Sequence, residues 1–477
     1  MLQRSLRSTL AWIASRLSRH ARVRGLVLAA TAVVAATTAS AASPAQADGV
    51  ATPRALGRDM PVLAVSADPE SQTPGSPSPV GTIALRDALA AAMEGSPGLA
   101  TTAYETRRRE ALVIQAGLRP NPVLSLQAED FVGPSRKKSL GYQQTTLSIA
   151  QVVELGGKRV ARQRLADRSR DVASWDFETR RVAVLTDTTK AFLIVLAQQE
   201  RQSMLHDLER LAEAMLRSVA STVRAGAVSP VEEDRAHVNL DRVRLEVAQA
   251  ENDLETARGL LAASWGESGA SFDRVVGNLW TLPPIPDAPE LEARAVENPE
   301  LARWLAEIAQ REAGVAVERA ARVPSVEVSV GGRHHPLGNV GGVVAGLSIP
   351  IPFFDRNQGN LLAARQELAR ARTEQRQADV GVRSSIATSH QALVRASREV
   401  IALRDQIIPR AERVFDKTRR GYATGLFRYV EVLDAERTLF GARRELLDAV
   451  LALHFAATDL ERLTGTPLGE IAGRRSE

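Results

Sequence analysis

Residues 420–435 read RGYATGLFRYVEVLDA, and a related pattern stands about 200 residues earlier, where residues 225–236 read AGAVSPVEEDRA. The correspondence pairs Gly226 with Gly425 and Glu232 with Glu431. Residues 96–100 (SPGLA) recur in the same way as residues 298–302 (NPELA). A repeat this long is a complete structural unit rather than one turn of a solenoid. The chain is therefore predicted to contain two copies of one fold.

The order of segments is the same in both copies: a helix, a pair of strands, a long helix, a turn and a helix. We expect the first copy at residues 81–270 and the second at 291–468, joined by a linker at 271–290. An extended linker rich in proline precedes them at 48–80, and a tail follows at 469–477.

Each copy contains one very long helix. No Pro or Gly occurs between Gly157 and Arg224, and the second such helix should run from about Gly359 to Arg420. At a rise of 1.5 Å per residue these helices would be roughly 90–100 Å long. Pro409 should kink the second one, because it removes a hydrogen-bond donor. The second helix has a heptad seam, the spacing of a coiled coil, at Ile386, Leu393, Val400, Ile407 and Val414.

Segments with alternating polarity lie between the helices, for example at 123–128, 326–331 and 342–351, and each strand should have about ten residues. Ten residues suffice for a tilted strand to cross a bilayer. The flanking aromatic residues Phe131, Tyr142, Phe353 and Phe354 suit the membrane interface. Four strands cannot close a barrel, so membrane insertion would require several copies of the chain. The alternative is a pair of soluble hairpins packed on the helices.

The first 47 residues are predicted to be a secretory signal. Six arginines precede an apolar run, and small residues ending in Ala45-Gln46-Ala47 follow it. A retained membrane anchor is the alternative. Without these arginines the formal charge changes from +5 to −1, so no nucleic-acid partner is expected. The chain has no cysteine, which excludes disulfides, thiolate metal sites and an acylated cysteine.

The sequence contains no recognisable catalytic constellation, so we expect neither an enzyme nor a cofactor. His334 and His335 are adjacent, but two imidazoles without a third ligand make a poor metal site. We interpret them as part of a solvated extracellular loop, with metal contact as the alternative.

The segments RGYATG (420–425) and VEVLDA (430–435) resemble the periplasmic-tip motif of the TolC-like outer-membrane factors. Residues 151–159 (QVVELGGKR) are similar to the CzcC-type branch, which serves heavy-metal exporters. The resemblance implies a mainly α fold with a membrane β-barrel, built by a homotrimer in outer-membrane lipid. It also implies two partners, a periplasmic adaptor protein and an inner-membrane pump of the resistance-nodulation-division class.

The resemblance also places a gate where the two turns meet, at the periplasmic end. The turn residues are Gly226, Gly425 and Tyr422, and acids follow each turn. Threefold symmetry would bring these acids near the channel axis, where they would attract cations. The alternative is that they only stabilise helix starts through the helix dipole. The acids concerned are Glu232, Glu233, Asp234, Glu431 and Asp434.

The function predicted from the sequence is a passive outer-membrane duct for cations such as cobalt, zinc, cadmium, nickel or copper. The same channel could instead serve drugs, other organic solutes or type I secretion. A periplasmic coiled-coil adaptor or scaffold is the alternative from another class, and the duplicated unit with its strands disfavours it.

Overall fold

The computed structural model describes residues 79–129, 144–335 and 340–468. The predicted signal, all but the end of the extended linker, the C-terminal tail, and Phe131 with Tyr142 lie outside these residues.

The elements follow the predicted order, with additional short elements. The first copy comprises β1 (Gly81–Ala84), α1 (Leu85–Gly95), α2 (Pro97–Ala116), β2 (Val123–Glu129), β3 (Gln144–Val153), α3 (Lys158–Arg224) and α4 (Pro230–Ala263). Strand β4 (Phe272–Val276) follows it. The second copy comprises α5 (Ala288–Ala293), α6 (Pro299–Ala321), β5 (Val326–His335), β6 (Val340–Ser348), α7 (Gln358–Ala402), α8 (Ile408–Ala423) and α9 (Tyr429–Thr464). The additions to the predicted order are the short elements β1, α1, β4 and α5.

Helix α3 confirms the prediction of one very long helix. Its 67 residues correspond to about 100 Å. Gly157 precedes it in a left-handed conformation with φ of 71°, which a side chain would strain. Within the described ranges, no helix combines the length and apolar composition needed to cross a membrane.

The second long helix differs from the predicted continuous seam. A short π-helical segment, Leu403–Ile407, separates α7 from α8 just before Pro409. A π turn holds one extra residue, so the buried face moves on by one position. Ile386, Leu393 and Val400 are buried as the heptad predicts, whereas Ile407 and Val414 are exposed. Ile408 and Phe415 are buried in their place.

The four longer strands form one antiparallel sheet in the order β2-β3-β5-β6. The central β3–β5 pairing, with Ser148 opposite Gly331, joins the two copies. Both faces of the edge strands β2 and β6 are largely exposed in the protomer. Strand β6 ends at Ser348, so the predicted extension to Ile351 is wrong. Pro350 and Pro352 explain this end, because neither has an N–H for the ladder.

A small parallel sheet was not anticipated. Strand β1 pairs with β4, which lies inside the segment predicted as the inter-repeat linker. Phe272 and Val275 of β4 are fully buried against α3 and α4 in an apolar cluster. Two histidines of the second copy also contact the segment between the copies. A ring nitrogen of His390 lies 3.0 Å from the carbonyl oxygen of Pro286, and a ring nitrogen of His454 lies 2.8 Å from that of Leu279. The segment between the copies is therefore anchored to both of them.

Candidate functional site

Both helical turns contain a glycine in the left-handed region. Gly226 follows α3 with φ of 73°, and Gly425 follows α8 with φ of 77°. This conformation strains any residue with a Cβ atom, which explains why glycine recurs at matched positions of the two copies. Each turn reverses the chain into an antiparallel partner helix, α4 or α9.

The structure brings the two turns to the same end of the helices. A buried apolar cluster, which we call the turn-end cluster, contains residues of both copies. Met215, Val219 and Ala236 come from the first copy, and Tyr422 and Tyr429 belong to the second. The two copies therefore pack as one body beside their turns.

Tyr422 and Tyr429 lie close together within the turn-end cluster, with ring centroids 6.0 Å apart. Burial raises the pKa of the Tyr422 hydroxyl, the Thr222 side chain lowers it in part, and the charge of Glu232 raises it further. Burial also raises the pKa of Tyr429, as do the nearby Glu436 and Glu232 carboxyls. Both phenols stay neutral around pH 7.

Glu431 and Asp434 are both exposed on the first turns of α9, close to Gly425. The backbone N–H of Arg428 donates to Glu431 Oε2 over 2.7 Å, so this carboxylate caps the helix. Arg419, a possible partner for these acids, instead lies 3.7 Å from Asp416. In the described part of the chain, neither carboxylate forms an ion pair.

The acids after the first turn occupy different surroundings. Glu232 lies 3.4 Å from the guanidinium of Arg235, and its Oε2 atom is buried without a hydrogen-bond partner in the described structure. Glu233 is half-buried, and Asp234 is exposed. Of these three acids, Glu232 is the one whose charge raises the pKa of both Tyr422 and Tyr429.

Sequence reasoning missed a buried polar contact between α4 and α9. Asn239 Nδ2 donates to Glu436 Oε1 over 3.2 Å, and the two residues are 8% and 3% exposed. Glu436 stands seven residues after Tyr429, on the buried face of α9. An acid at an otherwise apolar seam position was the available signal.

The groove between α3, α4 and α9 is a cavity of about 410 Å³ next to this contact. Arg201, Arg242, Arg437 and Arg444 line it, together with Glu436 and Asn239. In the described ranges, no group of three or more His, Cys, Asp or Glu residues could hold a metal ion.

His334 and His335 lie in strand β5, so their assignment to a loop is wrong. His334 pairs with Gly341 and His335 with Val340 across the β5–β6 ladder. Consecutive strand residues point to opposite faces of a sheet, so the two rings do not converge on one ion.

The protein is thus a duplicated helical unit with one shared four-stranded sheet and two matched turns at the same end. The sequence model of the outer membrane efflux protein family matches residues 88–267 and 292–466, which fall within the two copies. The chain belongs to this family, whose members are non-enzymatic export channels of the TolC-like type.

Individual relatives agree with this assignment and confirm the resemblance to the CzcC-type branch. The cobalt-zinc-cadmium resistance protein CzcC of Cupriavidus metallidurans is 36% identical over 391 residues, which cover 81% of this chain and 90% of the relative. The nickel-cobalt-cadmium resistance protein NccC of Alcaligenes xylosoxydans is 27% identical over 62% of this chain and 65% of its own length. The crystal structure of CusC shares the fold with a TM-score of 0.67 at 16% identity, covering 80% of this chain and 92% of CusC.

Proposed function

We propose that the chain is the outer-membrane channel of a tripartite efflux system that exports divalent heavy-metal cations. The observation that carries the proposal is the 36% identity to a cobalt-zinc-cadmium resistance protein over 90% of that protein's length. Cobalt, zinc and cadmium are therefore the first cargoes to test, followed by nickel and copper. The predicted signal would export the chain, and an adaptor and an inner-membrane pump would complete the system.

The working form that we propose is a homotrimer. Four strands in a protomer leave two open edges, β2 and β6, and open edges in lipid leave backbone groups without partners. Three protomers would provide twelve strands, enough for a closed barrel, and the helices would continue the barrel as a tube. Phe353 and Phe354, which are 71% and 86% exposed, would lie at the lipid interface.

The turn end would form the periplasmic entrance. Its exposed carboxylates, Glu431 and Asp434, share one face of α9 because they are three residues apart. Under threefold symmetry each would form a ring that favours cations over anions. Selection of the cargo would remain with the pump.

Deletion of the gene in its native host tests the proposed cargo. We expect lower tolerance to cobalt, zinc and cadmium, measured as minimal inhibitory concentrations, and restored tolerance when the wild-type chain is expressed from a plasmid. Fractionation of the complemented cells should recover the chain in the outer membrane.

Two outcomes would contradict this proposal. Unchanged metal tolerance with new sensitivity to dyes and detergents would assign the channel to organic solutes. Recovery of the chain from the soluble periplasmic fraction would favour an adaptor or scaffold.

A further inference from the structure

Glu436 is a carboxyl group in a position that normally holds an apolar side chain. It is 3% exposed and lies on the same face of α9 as Tyr429, Val432 and Leu439. Its Oε1 atom accepts one hydrogen bond, from Asn239, and its Oε2 atom has no partner among the described residues. A buried carboxylate without an ion pair is costly, so such a group tends to bind a proton.

The charges that face Glu436 do not neutralise it. In the described part of the chain no cation lies within 4.0 Å of its carboxyl group, and Arg437 is the cation that acts on it electrostatically. On the side nearer the turns, Tyr429 interacts electrostatically with Glu436, Tyr422 and Glu232. The other charged residues around the adjoining cavity come from α3, α4 and α9, and are Arg201, Arg242, Glu246, Asp253 and Arg444.

The combined effect of these surroundings favours the neutral acid. Burial raises the pKa of Glu436, and the hydrogen bond from Asn239 and the charge of Arg437 offset only part of that rise. Asn239 belongs to the first copy and Glu436 to the second, so the protonation state acts at a contact between the copies.

We propose that Glu436 is a proton-binding site that controls the local contact between α4 and α9 at Asn239, beside the turns. With the proton bound, the acid remains buried and keeps this local contact between α4 and α9 closed. When the proton leaves to water, the charged carboxylate is stabilised by moving α9 away from α4 so that solvent reaches it. The site is distinct from the acids Glu431 and Asp434, which are exposed to solvent in the packed state.

The pH dependence follows from the sign of the shift. The pKa of Glu436 is raised in the packed state, so the bound proton stabilises the α4–α9 contact. This stabilisation is fully present below about pH 4.3, the ordinary pKa of glutamate. It is lost as the pH rises through the raised pKa. Between these two values the equilibrium constant for separating α4 from α9 should increase about tenfold per pH unit.

Infrared difference spectroscopy of the detergent-solubilised protein tests the proton site directly. The carboxylic-acid band that distinguishes wild type from Glu436→Gln should disappear with a midpoint above about pH 4.3. Glu445→Gln, an exposed change on the same helix, should leave this high-midpoint band in place. Absence of a high-midpoint band specific to Glu436 would overturn the proposal.

Hydrogen exchange of the amides of α4 and α9 tests the effect on packing. After correction for the intrinsic pH dependence of exchange, protection should fall with rising pH in wild type and stay constant in Glu436→Gln. If Glu436→Gln does not fold, Asn239→Ala provides the second test. Removing that donor should move the infrared midpoint to higher pH. An unchanged midpoint, or equal pH dependence in wild type and Glu436→Gln, would contradict the proposal.

A consequence for channel opening rests on the proposed function. Conductance in planar bilayers should rise with pH in wild type and lose that dependence in Glu436→Gln. A wild-type protein without any conductance would reject the channel, whereas the infrared and exchange results would still decide the proton site.

Discussion

At the scale of single residues, the acids beside the turns divide by their surroundings. Glu431 is exposed and caps α9, Asp434 is exposed without an ion pair among the described residues, and Glu436 is buried. The first two can line an aqueous entrance, whereas the third can only influence packing. Sequence distance alone does not separate them, because all three lie within six residues.

The proposed acidic ring is tested by combining Glu431→Gln with Asp434→Asn. Removing two carboxylates from each of three copies should reduce the preference for cations and weaken block by trivalent cations, because the local negative potential disappears. Single-channel recording in planar bilayers measures both properties.

The matched control for that experiment is Glu445→Gln, which removes an exposed charge from α9 far from the turn. It should leave selectivity unchanged. If the double variant behaves like the control, Glu431 acts only as a helix cap.

At the scale of elements, α4 has two apolar faces. One packs on α3 through residues such as Leu240 and Val243. The other presents Val231, Val238 and Leu245 at heptad spacing, with exposed fractions of 53%, 69% and 59%. A heptad stripe on a solvent-facing surface is suited to packing against a helix of another protomer. Val380, Ile401 and Val414 of the second internal repeat are exposed as well and would supply the opposing surface in the proposed head-to-tail trimer.

We therefore expect Val238→Glu to weaken the proposed trimer. Burying Val238 at an interface would stabilise the assembly by about 1.5–3 kcal/mol per protomer. A carboxylate at the same place would instead destabilise it, because burying a charge is costly. The measurement is the fraction of trimer in native electrophoresis across increasing detergent strength.

His237→Glu serves as the control, because it adds an acid at the adjacent exposed position, about 100° away around the helix. It should assemble like wild type. Equal assembly of both variants would exclude the α4 stripe from the interface, and circular dichroism would verify that each remains helical.

At the scale of the whole molecule, the sheet and the helices make different demands. The helices satisfy their own backbone hydrogen bonds, but the edge strands β2 and β6 do not. Within the proposed trimer, β2 of one protomer would pair with β6 of the next protomer and so close the barrel.

The protein extracted from the outer membrane should therefore have three times the protomer mass by light scattering, after subtraction of detergent. Its circular dichroism spectrum should show both helix and strand. A monomer that stays in solution when detergent is removed would contradict both the trimer and the barrel.

Much of the fold could be predicted from local patterns. The absence of Gly and Pro between Gly157 and Arg224 predicts α3, and the matched motifs predict the duplication and the two turns. Candidate residues close to a turn, such as Tyr422 and Glu431, were found for the same reason. These features depend on neighbouring residues, which the sequence shows directly.

What only the tertiary structure decided depends on residues far apart in the chain. The pairing of β1 with β4 joins segments about 190 residues apart, and the π segment before Pro409 moves the buried seam by one residue. The Asn239–Glu436 contact was equally hidden, because a heptad position reveals burial only once its partner helix is known. Periodicity determines which face of an element is apolar, but the packing of distant elements determines which polar group that face buries.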